Sequence, residues 1–321
     1  MNLLNLPRAA LVVSCLLILA PLVVPGWIMF IITKALFLSI AVMGVAVLLR
    51  GGLLTFGHAL YYATGAYAVG FCVKWLGIHE LLFLVPLGAL AGLVMAALVG
   101  LIMARYREVF FAMLNLAFSM MLFGALLKFY NFTGGSDGLA IGTATLFGSE
   151  LESDGKGFYY FSLAIVGIVT FIVVRFMASP LGYFLRALYD NEIRMEYSGV
   201  AVRQVVYKTY LLAGALGGVS GVLAAFAIGH IVPEDAFWIQ SGEFVFVALL
   251  GGFGGVPGPL MGALVFEFIQ TYASKYFPLA WQMTLGIIML IVILFQPGGL
   301  WAIYQKVQQR LGGKARGDDD A

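Results

Sequence analysis

Residues 81–104 read Leu81-Leu-Phe-Leu-Val-Pro86-Leu-Gly88-Ala-Leu-Ala-Gly92-Leu-Val-Met95-Ala-Ala-Leu-Val-Gly100-Leu-Ile-Met-Ala104, without a charged side chain. As a helix the stretch rises about 36 Å at 1.5 Å per residue, enough to cross a hydrocarbon layer of roughly 30 Å. In hydrocarbon every backbone N–H and C=O must be satisfied within its own segment or in a closed barrel. The stretch lacks the period-two alternation of a barrel strand, so it reads as a membrane-spanning helix.

The same pattern recurs along the chain. Apolar runs bounded by charged residues or by Gly and Pro predict spans near 8–25, 28–49, 56–77, 82–104, 108–130, 158–178, 205–229, 238–253, 257–275 and 280–298. The composition agrees. Of 321 residues 62% are hydrophobic and only 11% charged, and mean hydropathy is +1.00, whereas about a quarter of a soluble domain is charged. The fold class is therefore all-α, a polytopic transmembrane helical bundle of about ten spans. One membrane domain covers 1–300, and a tail follows at 301–321. Arg8 followed by an apolar run imitates a signal peptide. No small-x-small cleavage site follows it, so a retained first helix is expected.

The 40 glycines are poor helix formers in water, but in a membrane they let helix backbones approach closely. They are densest at Gly51–Gly65 and Gly251–Pro259, where a re-entrant or broken helix is expected. The two clusters form a weak internal echo, with poorly matching side chains.

Charge sets orientation and excludes some partners. Arg50, Arg105, Arg107, Arg175, Arg186, Arg194, Arg203 and Lys208, with Lys306, Arg310, Lys314 and Arg316 in the tail, fall on one side of the span count. Glu80, Glu150, Glu152, Asp154, Glu234 and Asp235 fall on the other. The positive-inside rule then makes both termini cytoplasmic. A net charge of +2, dispersed over helix ends, argues against nucleic acid as a partner. Lys34, Lys74 and Lys128 are expected to snorkel towards headgroups. Trp27, Trp75, Trp238 and Trp301 fit an interfacial belt.

Chemistry of its own is not visible in the chain. There is no phosphate-binding G-x-x-x-x-G-K-[ST] loop and no G-x-S-x-G elbow. His58, His79 and His230 lack metal-ligand spacing, and Cys15 and Cys72 lack C-x-x-C spacing, so no cofactor or metal is expected. The polar residues within apolar spans are the pathway candidates: Thr55, His58, Tyr61, Asn115, Glu243 and Glu267. His58 is read either as an interhelical strut or as a substrate contact. Two polar segments interrupt the pattern, 131–157 on the acidic side and 179–204 on the basic side. The second opens Ser179-Pro180, then places Leu185, Leu188, Tyr189, Ile193 and Met195 among charges, which fits a short amphipathic helix in the cytosol.

Several motifs together resemble the LivH/LivM permeases of bacterial branched-chain amino acid ABC importers. Arg50-Gly-Gly-Leu-Leu-Thr-Phe-Gly-His-Ala-Leu-Tyr-Tyr-Ala-Thr-Gly-Ala-Tyr67 is similar to their G-x-x-S-x-G-H-A signature, with Thr55 in place of serine. Asn115-Leu-Ala-Phe118 is similar to a T-L-A-F-type helix. Thr133-Gly-Gly-Ser-Asp-Gly-Leu139 resembles the T-G-G-x-x-G-L loop, and Leu181 to Val200 the block with R-A-L and N-E. Leu250-Gly-Gly-Phe-Gly-Gly-Val-Pro-Gly-Pro-Leu-Met-Gly-Ala263 and Pro297-Gly-Gly-Leu300 are similar to the late motifs. The blocks occur in the family's order. Tyr197-Ser198 and Met113-Leu-Asn115 depart from its usual residues, which leaves the cargo within the superfamily open.

The resemblance implies an ABC importer permease fold in which 179–204 carries a coupling helix, with Arg186, Ala187, Asp190, Asn191, Glu192 and Gly199 contacting an ATPase. It implies a homologous LivH-type permease partner, two LivG/LivF-type ATPase subunits and an extracytoplasmic substrate-binding protein, all at a bacterial inner membrane. Gly134, Gly135, Asp137 and Gly138 would shape either a docking loop for that binding protein or a structural Asx turn. Leucine, isoleucine and valine are the first expectation for cargo; urea, short amides and other amino or aromatic acids are alternatives. A secondary transporter, a rival of another class, calls for ionisable residues grouped inside the membrane, whereas the acids are scattered along this sequence.

Overall fold

The computed structural model describes residues 17–21, 24–252, 254–295, 298–303 and 305. Most of the span expected at 8–25, and nearly all of the tail, lie outside the described residues. The protein is a polytopic helical bundle. Its main helices are α1 Gly26–Leu49, α2 Ala59–Leu76, α3 Leu81–Met103, α4 Glu108–Lys128, α5 Lys156–Met177, α6 Pro180–Asp190, α7 Glu192–Tyr197, α8 Val202–Ile228, α9 Trp238–Gly251, α10 Gly258–Tyr276 and α11 Trp281–Phe295, with single turns at Tyr130–Thr133 and Pro233–Ala236. Among the described residues α1, α3, α4, α5 and α8 are long and apolar enough to cross a bilayer.

Two helices form the centre. In α1 every residue from Ile31 to Leu49 is buried except Lys34. In α8 a glycine row at helical spacing, Gly214, Gly217, Gly218 and Gly221, lies against α2 and α3. A Cβ on Gly218 would stand 2.1 Å from the Gly88 carbonyl oxygen, and one on Gly221 2.0 Å from that of Tyr62. Without side chains between them the backbones meet directly, which is how small residues drive helix association where lipid removes the hydrophobic incentive. By contrast α3, α4 and α5 bury one face each and turn Leu98, Phe110, Met113 and Phe171 outward. Apolar faces of that extent belong against lipid tails or another subunit.

The two glycine clusters resolve into different shapes. Between α1 and α2 the chain has no helix from Gly51 to His58, yet most of the segment is buried. Non-helical backbone inside a membrane bundle needs protein partners, and here it has them. Leu53 N–H donates to the Leu48 carbonyl, Gly57 N–H to Thr55 Oγ1 and Ala59 N–H to Ser241 Oγ on α9. At the second cluster α9 and α10 approach closely, so that a Cβ on Gly258 would lie 2.1 Å from the Gly252 oxygen. An extended crossing and a helical hairpin do not make a conformational repeat.

The bundle has a basic and an acidic end. Arg50, Arg107, α6 and α7 gather at one; Glu80, Asp137, His230 and two small antiparallel sheets gather at the other. The sheets pair β1 Leu139–Ala140 with β4 His230–Ile231, and β2 Ala144–Leu146 with β3 Ser149–Leu151. The polar segment 131–157 is thus an ordered cap.

Candidate functional site

The pathway candidates divide into two groups. Tyr61 on α2, Tyr210 on α8 and Asn115 on α4 meet in the interior, all fully buried. The Tyr61 hydroxyl donates to the Tyr210 hydroxyl, which donates to Asn115 Oδ1, while Asn115 Nδ2 donates to the Phe111 carbonyl at 2.7 Å. The two tyrosine rings cross edge-on, with centroids 5.6 Å apart. This relay ties three helices through polar groups that satisfy one another, the condition for burying them at all. Gly57 sits beside it because α4 passes so close that a Cβ would stand 2.1 Å from the Asn115 carbonyl oxygen.

His58 lies against the Tyr61 and Phe244 rings, by the Ala41 carbonyl of α1. Among the described residues neither ring nitrogen makes a hydrogen bond of ordinary geometry. Thr55 accepts the Gly57 N–H and thereby shapes the crossing.

The second group is ionic. Lys34 on α1 pairs with Glu267 on α10 at 3.1 Å, and Glu243 on α9 lies within electrostatic reach of both. The lysine expected to snorkel is held instead by a carboxylate, because Glu267 offers a partner inside the bundle. The acids that stand apart in sequence are therefore brought together in space. An open groove on α3, lined by Leu87, Leu90, Val94 and Leu98, offers a ligand no charged group.

At the basic end the segment after α5 forms two short helices. Leu185 and Leu188 of α6 and Met195 of α7 are buried, whereas Tyr189 and Ile193, expected on the same face, are exposed. The break at Asn191 rotates the second helix: its side-chain Oδ1 accepts the Arg194 N–H at 2.9 Å, an N-cap that starts a new helix. Leu185 seats over Gly51 and Tyr189 lies against Gly52. Burial, with a smaller effect of the neighbouring Arg186, lowers the Arg50 pKa to about 10. Arg107 Nε donates to Glu192 Oε1 at 3.0 Å, and its Nη1 to the Ala104 and Tyr106 carbonyls. Arg186, Asp190, Asn191 and Gly199 are exposed, and Ala187 and Glu192 half-buried. Gly199 has φ +80°, where a Cβ is strained although space is open.

At the acidic end the Thr133–Leu139 loop packs on β4. Gly138 has φ +70°, and a Cβ there would lie 2.1 Å from the Ile231 oxygen. His230 Nε2 bonds the Asp137 carbonyl at 2.8 Å. The Asp137 carboxylate accepts from the Tyr130 and Ser136 hydroxyls. Gly134 is half-buried, Gly135 buried and Asp137 exposed.

Tyr210, Ser241, Lys34 and Arg107 were not among the sequence candidates for these clusters. Tyr210 is one of four hydroxyl side chains on α8, with Tyr207, Thr209 and Ser220, and nothing in the sequence sets it apart from them.

The sequence model of the family described as branched-chain amino acid transport system, permease component, matches residues 27–294. The chain is 25% identical over 290 residues to the high-affinity branched-chain amino acid transport system permease protein LivM of Escherichia coli, covering 83% of this chain and 68% of that protein. It is 27% identical over 238 residues to the probable branched-chain amino acid transport permease protein LivM of Methanocaldococcus jannaschii, covering 70% and 69%. To the high-affinity permease protein LivH of Salmonella typhimurium it is 26% identical over 270 residues, covering 78% and 85%. No solved structure matches the chain.

Proposed function

Because this chain belongs to the family of permease components of branched-chain amino acid transport systems, we propose that it forms half of the transmembrane pathway of an ATP-driven, binding-protein-dependent importer of leucine, isoleucine and valine. Its partners are a homologous permease, two cytoplasmic ATPase subunits and an extracytoplasmic binding protein. It sits in a bacterial inner membrane with the basic end and both termini in the cytoplasm, in keeping with the side that basic loops occupy.

The observation that carries the coupling role is the surface of α6 and α7. Tyr183, Tyr189, Ile193 and Tyr197 are all more than half exposed, Tyr197 at 90%, among Arg186, Asp190 and Asn191. Apolar side chains held out on a charged, water-facing segment mark a protein contact. The segment is anchored to the bundle through Leu185, Leu188 and Arg107–Glu192, so a push from an ATPase is passed to α1 and α4. On the far side, the Gly134–Gly138 loop is the docking surface for the binding protein.

Purification tests this directly. The tagged chain, expressed with its native gene neighbours, should elute with a second permease and two ATPase subunits in fixed stoichiometry; a chain that elutes alone in active form contradicts the reading. The grouping of Lys34, Glu243 and Glu267 favours one rival, a secondary transporter, and the same purification separates the two.

A further inference from the structure

Lys34 is the one position between Ile31 and Leu49 that α1 does not bury. It lies about 12 Å from the Gly26 end of its helix, and Glu267 about 13 Å from the Tyr276 end of α10, at 1.5 Å per residue. Both ends are at the acidic face, so the pair sits at one depth, close to the middle of a layer roughly 30 Å thick. Charged groups there face protein or water, not lipid. Yet Lys34 keeps 29% of its side chain exposed, and Glu243 is half-buried.

The opening continues as a stripe. Glu267, Gln270, Thr271 and Ser274 follow one another at i, i+3, i+4 and i+7 on α10, and all but Glu267 are at least partly exposed. This polar flank sets one amino group against two carboxyl groups. Glu267 is paired to Lys34, whereas Glu243 makes no hydrogen bond or ion pair of its own among the described residues.

We propose that this flank binds the charged end of an α-amino acid in transit, Lys34 taking the carboxylate and Glu243 with Glu267 taking the ammonium. The inference rests on the importer reading and adds the residues that would hold its cargo. In the empty site Lys34 and Glu267 satisfy each other. A zwitterion arrives with the same two groups on one carbon, so it exchanges ion-pair partners one for one and leaves the net charge of the flank unchanged. That exchange avoids leaving an unpaired charge in a low dielectric. The flank therefore selects α-amino acids as a class and rejects uncharged solutes such as urea, while the choice among side chains is made elsewhere.

The test uses the complete importer in liposomes, with labelled leucine as the probe. Glu243→Gln breaks no bond among the described residues, so the subunits are expected to elute together still, and uptake is expected to fall about ten-fold or more, the size of a lost charge-assisted contact. The exchange of Lys34→Glu with Glu267→Lys keeps an ion pair but reverses its sense, and uptake is expected to stay low. Unchanged uptake by Glu243→Gln overturns the proposal. Recovery in the exchanged pair also overturns it, because the pair would then be only a strut. If the unaltered complex moves urea and no amino acid, the importer reading itself fails, and this shows before any variant is compared.

Discussion

Leu185 occupies the space in which any side chain on Gly51 would stand: a Cβ built on Gly51 would lie 2.4 Å from Leu185 Cδ1. This contact joins α6 to the turn that ends α1, the most deeply buried helix of the bundle. A leucine substituted at Gly51 must push α6 away. Gly51→Leu is expected to leave the subunits assembled and hydrolysing ATP while amino acid moved per ATP falls about ten-fold, since overpacking of one to three kcal/mol is enough to displace a short helix. The ratio of uptake to hydrolysis in liposomes measures it, and an unchanged ratio removes the contact from the coupling route.

Arg107 and Glu192 make the other anchor. Both side chains are partly exposed, 23% and 34%, and such a pair contributes only about 0–1 kcal/mol to stability. Glu192→Arg should therefore fold and insert normally while it drives the start of α7 off the α3–α4 connection. Uptake should fall with little change in thermal stability. Adding Arg107→Glu to that variant should restore part of the uptake; equal loss in the double variant argues against a mechanical role.

The buried relay predicts an order of stabilities. Tyr210→Phe strands two groups at once, the Tyr61 hydroxyl and Asn115 Oδ1, whereas Tyr61→Phe leaves the Tyr210–Asn115 bond in place. Each buried unsatisfied group costs about 1–3 kcal/mol. In detergent, Tyr210→Phe should melt well below Tyr61→Phe, and Tyr61→Phe only slightly below the unaltered chain.

The architecture was legible from apolar run lengths: nine expected spans coincide with α1 to α5 and α8 to α11, to within a few residues. The clearest difference is at 56–77, where hydropathy extends the span back to Phe56 but the chain stays non-helical until Ala59. Run length cannot register that Thr55 and Ser241 have replaced helical hydrogen bonds. The site was half legible. Tyr61, Asn115, Glu243 and Glu267 stand out because polar groups are rare in such spans, but which of them meet is a property of helix rotation. For Lys34 snorkelling is the ordinary expectation of a lysine in an apolar span, and only the placement of α10 supplies the carboxylate that holds it.

Asp235, in the one-turn helix Pro233–Ala236 at the acidic end, connects stability to pH. Burial pushes its carboxyl up to about 6, against a smaller opposing effect of the hydrogen bond from the Val232 N–H. An unfolded aspartate titrates near 3.9, so the folded state holds the proton more tightly. Its stabilising contribution is complete below about pH 4 and is lost as pH rises through about 6. The melting temperature should therefore decline over that interval, and Asp235→Asn should flatten the decline; an identical slope in the variant assigns the pH dependence to another group.

This chain is expected to conduct its cargo only when other subunits hydrolyse ATP. Leucine uptake into liposomes, with and without the ATPase subunits and with ion gradients held constant, tests it most directly. Uptake should require the ATPases, ATP and the binding protein together. Uptake at an undiminished rate by the permeases alone, driven by an ion or proton gradient, would contradict it.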